Sequence, residues 1–345
     1  MPVGKRFIVI STVLILILLT MVILALALGS AQLDFFKVIR ILAGGLFGEN
    51  DGAGVEIEQF DRQIVLDVRL PRIILAIIVG AALSMAGVIY QSLFRNPMAD
   101  PSVIGTSSGA ALGAIIAIAT GLDLKFGHLG TIPFMAFFGA ILTTLLVYGL
   151  AKTGPRVPMT VLLLAGMAVS TFLSSTISLI MILRRDEMYH IVSWLMGGFA
   201  LCRWIDVAMI APYTLIGFLV TIFFSRELNL MLLGEERARQ LGLNSDRLQK
   251  FMIVSASLLV AGAVSISGII GFVGLLVPHM VRFIIGPDHK YLLPVSALAG
   301  GLFLLAADTI ARTLLAPLEL PVGVVTSLCG APFFIYLLIK NKRTS

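Results

Sequence analysis

Long apolar runs, each separated from the next by a short polar stretch, recur along most of the chain. The first runs from Phe7 to about Ser30 behind Lys5 and Arg6. It exceeds the apolar core of a secretory signal, so it reads as a retained membrane span with a cytoplasmic N-terminus. Further spans are predicted at about 73–94, 103–121, 132–150, 160–183, 206–224, 251–269, 270–286, 292–310 and 322–339. Together with the first they make ten, which returns the tail carrying Lys340, Lys342 and Arg343 to the cytoplasm. A polar, glycine-containing, acidic segment from about Leu46 to Asp67 is predicted to be an external loop.

The strongest interruption of the apolar pattern in the second half is Arg226–Lys250. Its centre, Glu235 to Leu241, is rich in helix formers, with acids in the first turn and a base in the last. Glu235 and Arg239 stand at i and i+4 and are placed to pair. Gly234 and Gly242 punctuate this helix, and Glu227–Leu233 can form a turn or two before it. The pattern predicts two short helices bent at a glycine, which is either an idle loop or a rigid bearing for a cytoplasmic partner.

Composition agrees with the pattern. Apolar residues make up 58% of the chain and charged residues 13%, with a mean hydropathy of +1.02. A soluble domain does not hold such values, and the reading is an all-α polytopic membrane protein embedded in a lipid bilayer. The net charge of +6 lies at span ends and loops rather than in one stripe, so nucleic acid is not the expected partner. Cys202 and Cys329 are far apart in apolar surroundings and imply neither a disulfide framework nor a thiolate metal site. His128, His190, His279 and His289 are scattered, and no phosphate-loop, H-E-x-x-H or G-x-S-x-G motif occurs. The chain is therefore not expected to be an enzyme, and no cofactor is implied.

Two features stand apart from the spans. Asn96, Pro97, Asp100 and Pro101 force a turn between the second and third spans, and a series of small residues follows, including Gly105, Gly109 and Gly113. Such residues allow close helix packing, and the turn can also border a pathway. Arg69, Arg72 and Arg312 fall at predicted external span ends, where they either snorkel to headgroups or cap helix ends, or else form an exposed cationic patch for an external protein. Asp308 is placed to pair with Arg312 at i and i+4. A weak echo between Gly80–Gly87 and Gly262–Gly268, each followed ten residues later by a proline, Pro97 or Pro278, hints at two inverted halves. An ion-driven secondary transporter fits inverted halves too, although it would need ionisable groups in mid-span.

The run RLPR at Arg69–Arg72, then GAALSMAGVIYQSLFRNPMADPSVIG at Gly80–Gly105, resembles the FecCD family of ABC importer permeases. So do GEERARQLGL at Gly234–Leu243, SGIIGFVGLLVPHMVR at Ser267–Arg282, AADTIAR at Ala306–Arg312 and ELPVGVVTSLCGAPFF at Glu319–Phe334. The resemblance implies a type II importer permease fold: one domain over 1–345, with half-repeats at about 69–183 and 251–339 and a cytoplasmic coupling segment at 226–250. It also implies a second permease subunit, identical or paralogous, and two ATPase subunits gripping Leu233, Gly234, Glu235, Glu236, Ala238, Arg239, Leu241 and Gly242. An external substrate-binding protein would dock on Arg69, Arg72 and Arg312, and the pathway would pass near Asn96, Pro97, Asp100, Pro101, Gly268 and Pro278. The expected location is the bacterial cell membrane. The expected cargo is a ferric siderophore, with cobalamin or haem as alternatives.

Overall fold

The computed structural model describes residues 3–29, 34, 36–41, 59–123, 130–154 and 157–342. Among them, seven helices are long and apolar enough to cross a membrane: α1 (Val3–Ala27), α2 (Gln59–Leu93), α4 (Thr131–Ala151), α5 (Met159–Leu183), α7 (Trp204–Phe223), α10 (Ser245–Ser267) and α12 (His289–Thr313). Three shorter apolar elements, α3 (Thr106–Thr120), α11 (Val273–Ile285) and α13 (Val322–Lys342), bring the apolar helices to the ten expected. Helix α6 (Met188–Met196), the two pieces of the polar arm, α8 (Ser225–Met231) and α9 (Glu235–Gln240), and a short helix over 36–41 are also present. His128 and the stretch 46–58 of the expected external loop lie outside the described residues.

The rest of that expected loop is helix, because α2 already begins at Gln59. This first part buries Val65 against Ala25, Leu26, Val38 and Ile73, and Asp61 pairs with Lys37. Polar composition is a poor guide here: Asp61 and Asp67 stand on a packed helix. Pro71 has no N–H to return to the carbonyl of Asp67, and the turn ahead of it widens to π spacing over Ile64–Arg69.

Helix α2 is the central post, with 78% of its apolar window buried inside the protein. Lipid tails are as apolar as leucine, so close approach and van der Waals contact hold such helices together. Gly80 of α2 faces Gly300 of α12, and Gly87 faces Gly274 of α11; a Cβ at any of these would run into the opposing backbone. Gly109 and Gly113 of α3 meet α4 the same way, at Gly139 and Met135. Tyr90 and Ser257 join α2 to α10 through a 2.8 Å hydroxyl–hydroxyl hydrogen bond.

The expected span at 270–286 is corrected by the structure. Helix α10 stops at Ser267, the backbone runs irregularly through Gly268–Phe272, and α11 covers 13 residues, roughly 20 Å against a hydrocarbon core of roughly 30 Å. Gly268 (φ +68°) and Gly197 (φ +67°) allow this break to press against the end of α6 and the start of α13. Irregular backbone at such depth is tolerated because protein covers it.

Helices α2 and α12 pack antiparallel and define two ends. At one, Arg72 meets Asp308; at the other, roughly 28 Å away along α12, Ser92 meets His289. Arg6 donates to the carbonyl of Ile284 at the second end, which places the start of α1 there. That end also carries α8 and α9, so the N-terminal basic residues and the polar arm share one side of the bundle.

Candidate functional site: the polar arm and the buried arginines

The arm has the expected two helices. Gly234 adopts φ +99° between them, and α9 closes in a Schellman cap, with Leu243 N–H donating to Ala238 O at 3.0 Å and Gly242 N–H to Arg239 O at 2.9 Å. Gly242 takes φ +84°, the left-handed value such a cap requires. Ala238 is fully buried beneath the cap and anchors the helix.

The expected Glu235–Arg239 pair does not form. Arg239 instead donates from Nη2 to both oxygens of Asp246, at 2.9 and 3.1 Å, and from Nε to Ser245 Oγ at 2.8 Å. Glu235 accepts from Gln249 Nε2 at 2.8 Å. The first turn of α10 offers both partners in geometry that an i, i+4 contact on one short helix cannot match. The arm is thereby braced on α10, while Leu233, Glu236, Leu241 and Gly242 face outward. A cavity of about 600 Å³ opens beside it, lined by Arg95, Pro158, Leu233, Gly234, Glu235 and Arg237 among others.

A second tether escaped the sequence reading. Asn229 on α8 accepts at Oδ1 from the His289 backbone N–H (2.9 Å), stands 2.6 Å from His289 Nδ1, and donates from Nδ2 to Asp288 (2.8 Å). The opposite ring nitrogen of His289 meets Ser92 Oγ near the end of α2. These residues are far apart in sequence; the only local signal was Asp288, a good N-cap for α12.

At the opposite end, the expectation of an exposed cationic patch is overturned. Arg69, Arg72 and Arg312 are all buried, at 5%, 6% and 5% exposure. Asp308, fully buried, takes Arg72 Nε and Nη2 at 3.0 and 2.9 Å and lies 3.2 Å from Arg312 Nε, the expected i, i+4 pair. Arg72 Nη1 also reaches Glu319 at 2.9 Å. Arg312 donates to Ala25 O, and Arg69 to Leu26 O and Ala27 O. Helix α1 ends there with unpaired carbonyls and the negative end of its dipole, and two arginines cap it.

The turn residues behave as read. Asn96 Oδ1 accepts from Met98 N and Asp100 Oδ1 from Ser102 N, so each side chain folds its own proline corner. Arg95 takes φ 50° in the αL position that ends α2. Pro278, buried inside α11, leaves the carbonyl of Gly274 without its helical donor, and Gln91 Nε2 supplies one at 3.4 Å while also donating to Leu275 O at 3.1 Å. Gly268 sits at the break beside a second cavity of about 470 Å³ lined by Met196, Ile269, Gly323 and Ser327 among others. The echo glycines are not equivalent, since Gly87 lies inside α2 and Gly268 caps α10.

One further face matters. Helix α5 is the least buried of the long internal helices, and its exposed side carries Thr160, Met167, Thr171, Ser174 and Ser178 at helical spacing. Thr171 and Ser178 bond the carbonyl one turn back, at 2.9 and 3.0 Å, so the helix stays intact while the oxygens line its surface.

A family model described as the FecCD transport family matches residues 16–340. The cobalamin import system permease protein of Halobacterium salinarum is 46% identical over 80% of this chain and 73% of its own. The hemin transport system permease protein of Yersinia pestis is 38% identical over 81% and 84%, and the iron(3+)-hydroxamate import system permease protein of Bacillus subtilis 35% over 98% of both. Among solved structures, a metal-chelate type ABC transporter in an inward-facing conformation superposes with a TM-score of 0.81 at 32% identity, covering 95% of this chain and 97% of that one.

Proposed function

This chain belongs to the FecCD transport family, and from that premise we propose that it is the permease subunit of an ABC importer that carries a ferric siderophore across the bacterial cell membrane. The observation that carries the reading is the arm: two short helices fixed at their base by Arg239–Asp246 and Glu235–Gln249, with Leu233, Glu236 and Leu241 presented outward. Two ATPase subunits seat on it from the cytoplasm, a second permease completes the pathway, and hydrolysis in the partners moves the arm.

The hydroxyl- and methionine-bearing face of α5 supports a lining for the route, since Thr171 and Ser178 donate to the helix's own carbonyls and keep oxygen lone pairs to accept from water. The order of long helix, short helix and two further apolar helices occurs twice, as α2–α5 and α10–α13, which supports the half-repeats at 69–183 and 251–339. The binding protein docks at the end of Arg69, Arg72 and Arg312. Those arginines set the shape of the docking surface from below by fixing the ends of α1, α2 and α12.

The cobalamin permease, at 46% identity, favours a corrinoid as the second reading. Titrating the cognate binding protein with a ferric hydroxamate, a ferric catecholate, haemin and cobalamin separates them. Tight binding of a ferric siderophore is the expected result, and preference for cobalamin overturns the first cargo. Uptake into vesicles that needs ATP and survives collapse of ion gradients distinguishes the importer from an ion-driven carrier.

A further inference from the structure

We infer that His289, clamped between Asn229 of the arm and Ser92 of α2, is a positioning residue that carries displacement of the arm into the α2–α12 pair; this rests on the importer reading above. Three observations converge. His289 and Ser92 are both fully buried, although they lie at the polar end of the bundle. The orientation of the Asn229 amide is fixed, because its oxygen faces the backbone N–H and ring nitrogen of His289 while its nitrogen faces the Asp288 carboxylate. A ring proton at Nδ1 then donates to Asn229, leaving Nε2 to accept from the Ser92 hydroxyl.

Ser92 has a second acceptor in the carbonyl of Val88, at 2.7 Å. Its one proton serves either Val88 or His289, and turning it to Val88 would leave the buried His289 Nε2 without a donor, which favours keeping the joint made. The remainder of the path is stiff. Helices α2 and α12 are locked along their length by the Gly80–Gly300 approach and at the far end by Arg72–Asp308. A pull on Asn229 is therefore delivered to one rigid pair, and the arm's other brace, through Arg239 and Glu235, leads to α10 instead. The two tethers divide the motion of the arm between two helices that contact each other at Tyr90 and Ser257.

The test uses proteoliposomes holding the complete importer and compares Ser92→Ala, Asn229→Leu and the double variant with the parent for substrate taken up per ATP hydrolysed. The expected result is a three- to tenfold fall in that ratio for each single variant, at about the order of measured coupling terms, with the double variant no worse than either. A ratio unchanged from the parent, whether uptake and hydrolysis fall in step or not at all, overturns the role. Should Asn229→Leu not assemble, Ser92→Ala decides alone, since it removes one oxygen. Failure of the importer reading shows itself separately, as parent vesicles that take up substrate without ATP.

Discussion

Replacing Asp308 by asparagine probes the buried arginine network with almost no change of shape. The carboxylate is fully buried and holds Arg72 through two short contacts and Arg312 through a third. Asparagine turns one oxygen into an NH₂ that faces guanidinium donors and removes the negative charge between two positive ones. Taking one partner from a buried pair costs about 3–5 kcal/mol. At about 2 °C per kcal/mol for a chain of this size, the midpoint of thermal unfolding should fall by roughly 6–10 °C. The control is Glu319→Gln, because that carboxylate also pairs with Arg72 but is 41% exposed. Solvent screening limits its worth to about 0–1 kcal/mol, and so to a shift of roughly 2 °C or less. Purified protein in detergent, followed by the fluorescence of Trp194 and Trp204, gives both numbers. An Asp308→Asn variant melting within roughly 2 °C of the parent, or a control that falls as far, refutes the reasoning.

Other outcomes follow from the same geometry. Gly300→Val should destabilise the protein by about 1–3 kcal/mol by forcing α12 away from the backbone of Gly80, visible as a lower unfolding midpoint. Gly234→Val places a β-branched residue at φ +99°, so uptake should be lost while the amount of protein in the membrane, read by immunoblot, stays at parent level. The two cysteines should differ towards a maleimide at pH 7.5: burial pushes the Cys202 thiol up to about 12, against an opposing pull from Arg72, whereas Cys329 is exposed. Because a raised thiol pKa leaves almost no thiolate below it, mass spectrometry of the folded protein should find Cys329 modified and Cys202 intact. Equal labelling would contradict the burial.

Much of the fold was legible, because helix-length apolar runs and proline corners are local signals. The arm was read nearly residue by residue, since Gly234, Gly242 and the acids at Glu235 and Glu236 punctuate a short helix by themselves. What failed depended on which helix lies alongside. Arg69 and Arg312 look like external charge until the end of α1 is seen to bring the carbonyls of Ala25, Leu26 and Ala27 to them. Arg239 was expected to take its i−4 glutamate, yet the fold offers Asp246. The boundary expected between 269 and 270 falls inside the break at Gly268–Phe272, but hydropathy does not register that the helix after it is only 13 residues long. Ser92, Asn229 and His289 carry no shared motif and meet only when α2, α8 and α12 are packed.

An importer permease must present the arm to the cytoplasm and to an ATPase. In a variant with Cys202 and Cys329 changed to serine, Glu236→Cys places a single thiol on the outward face of α9. A membrane-impermeant maleimide applied to intact cells, then to inverted vesicles with and without the ATPase subunits, measures its exposure. The prediction is no labelling in cells, labelling in stripped inverted vesicles, and protection when the ATPase subunits are restored. Labelling of intact cells, or equal labelling with and without the ATPase, would contradict it.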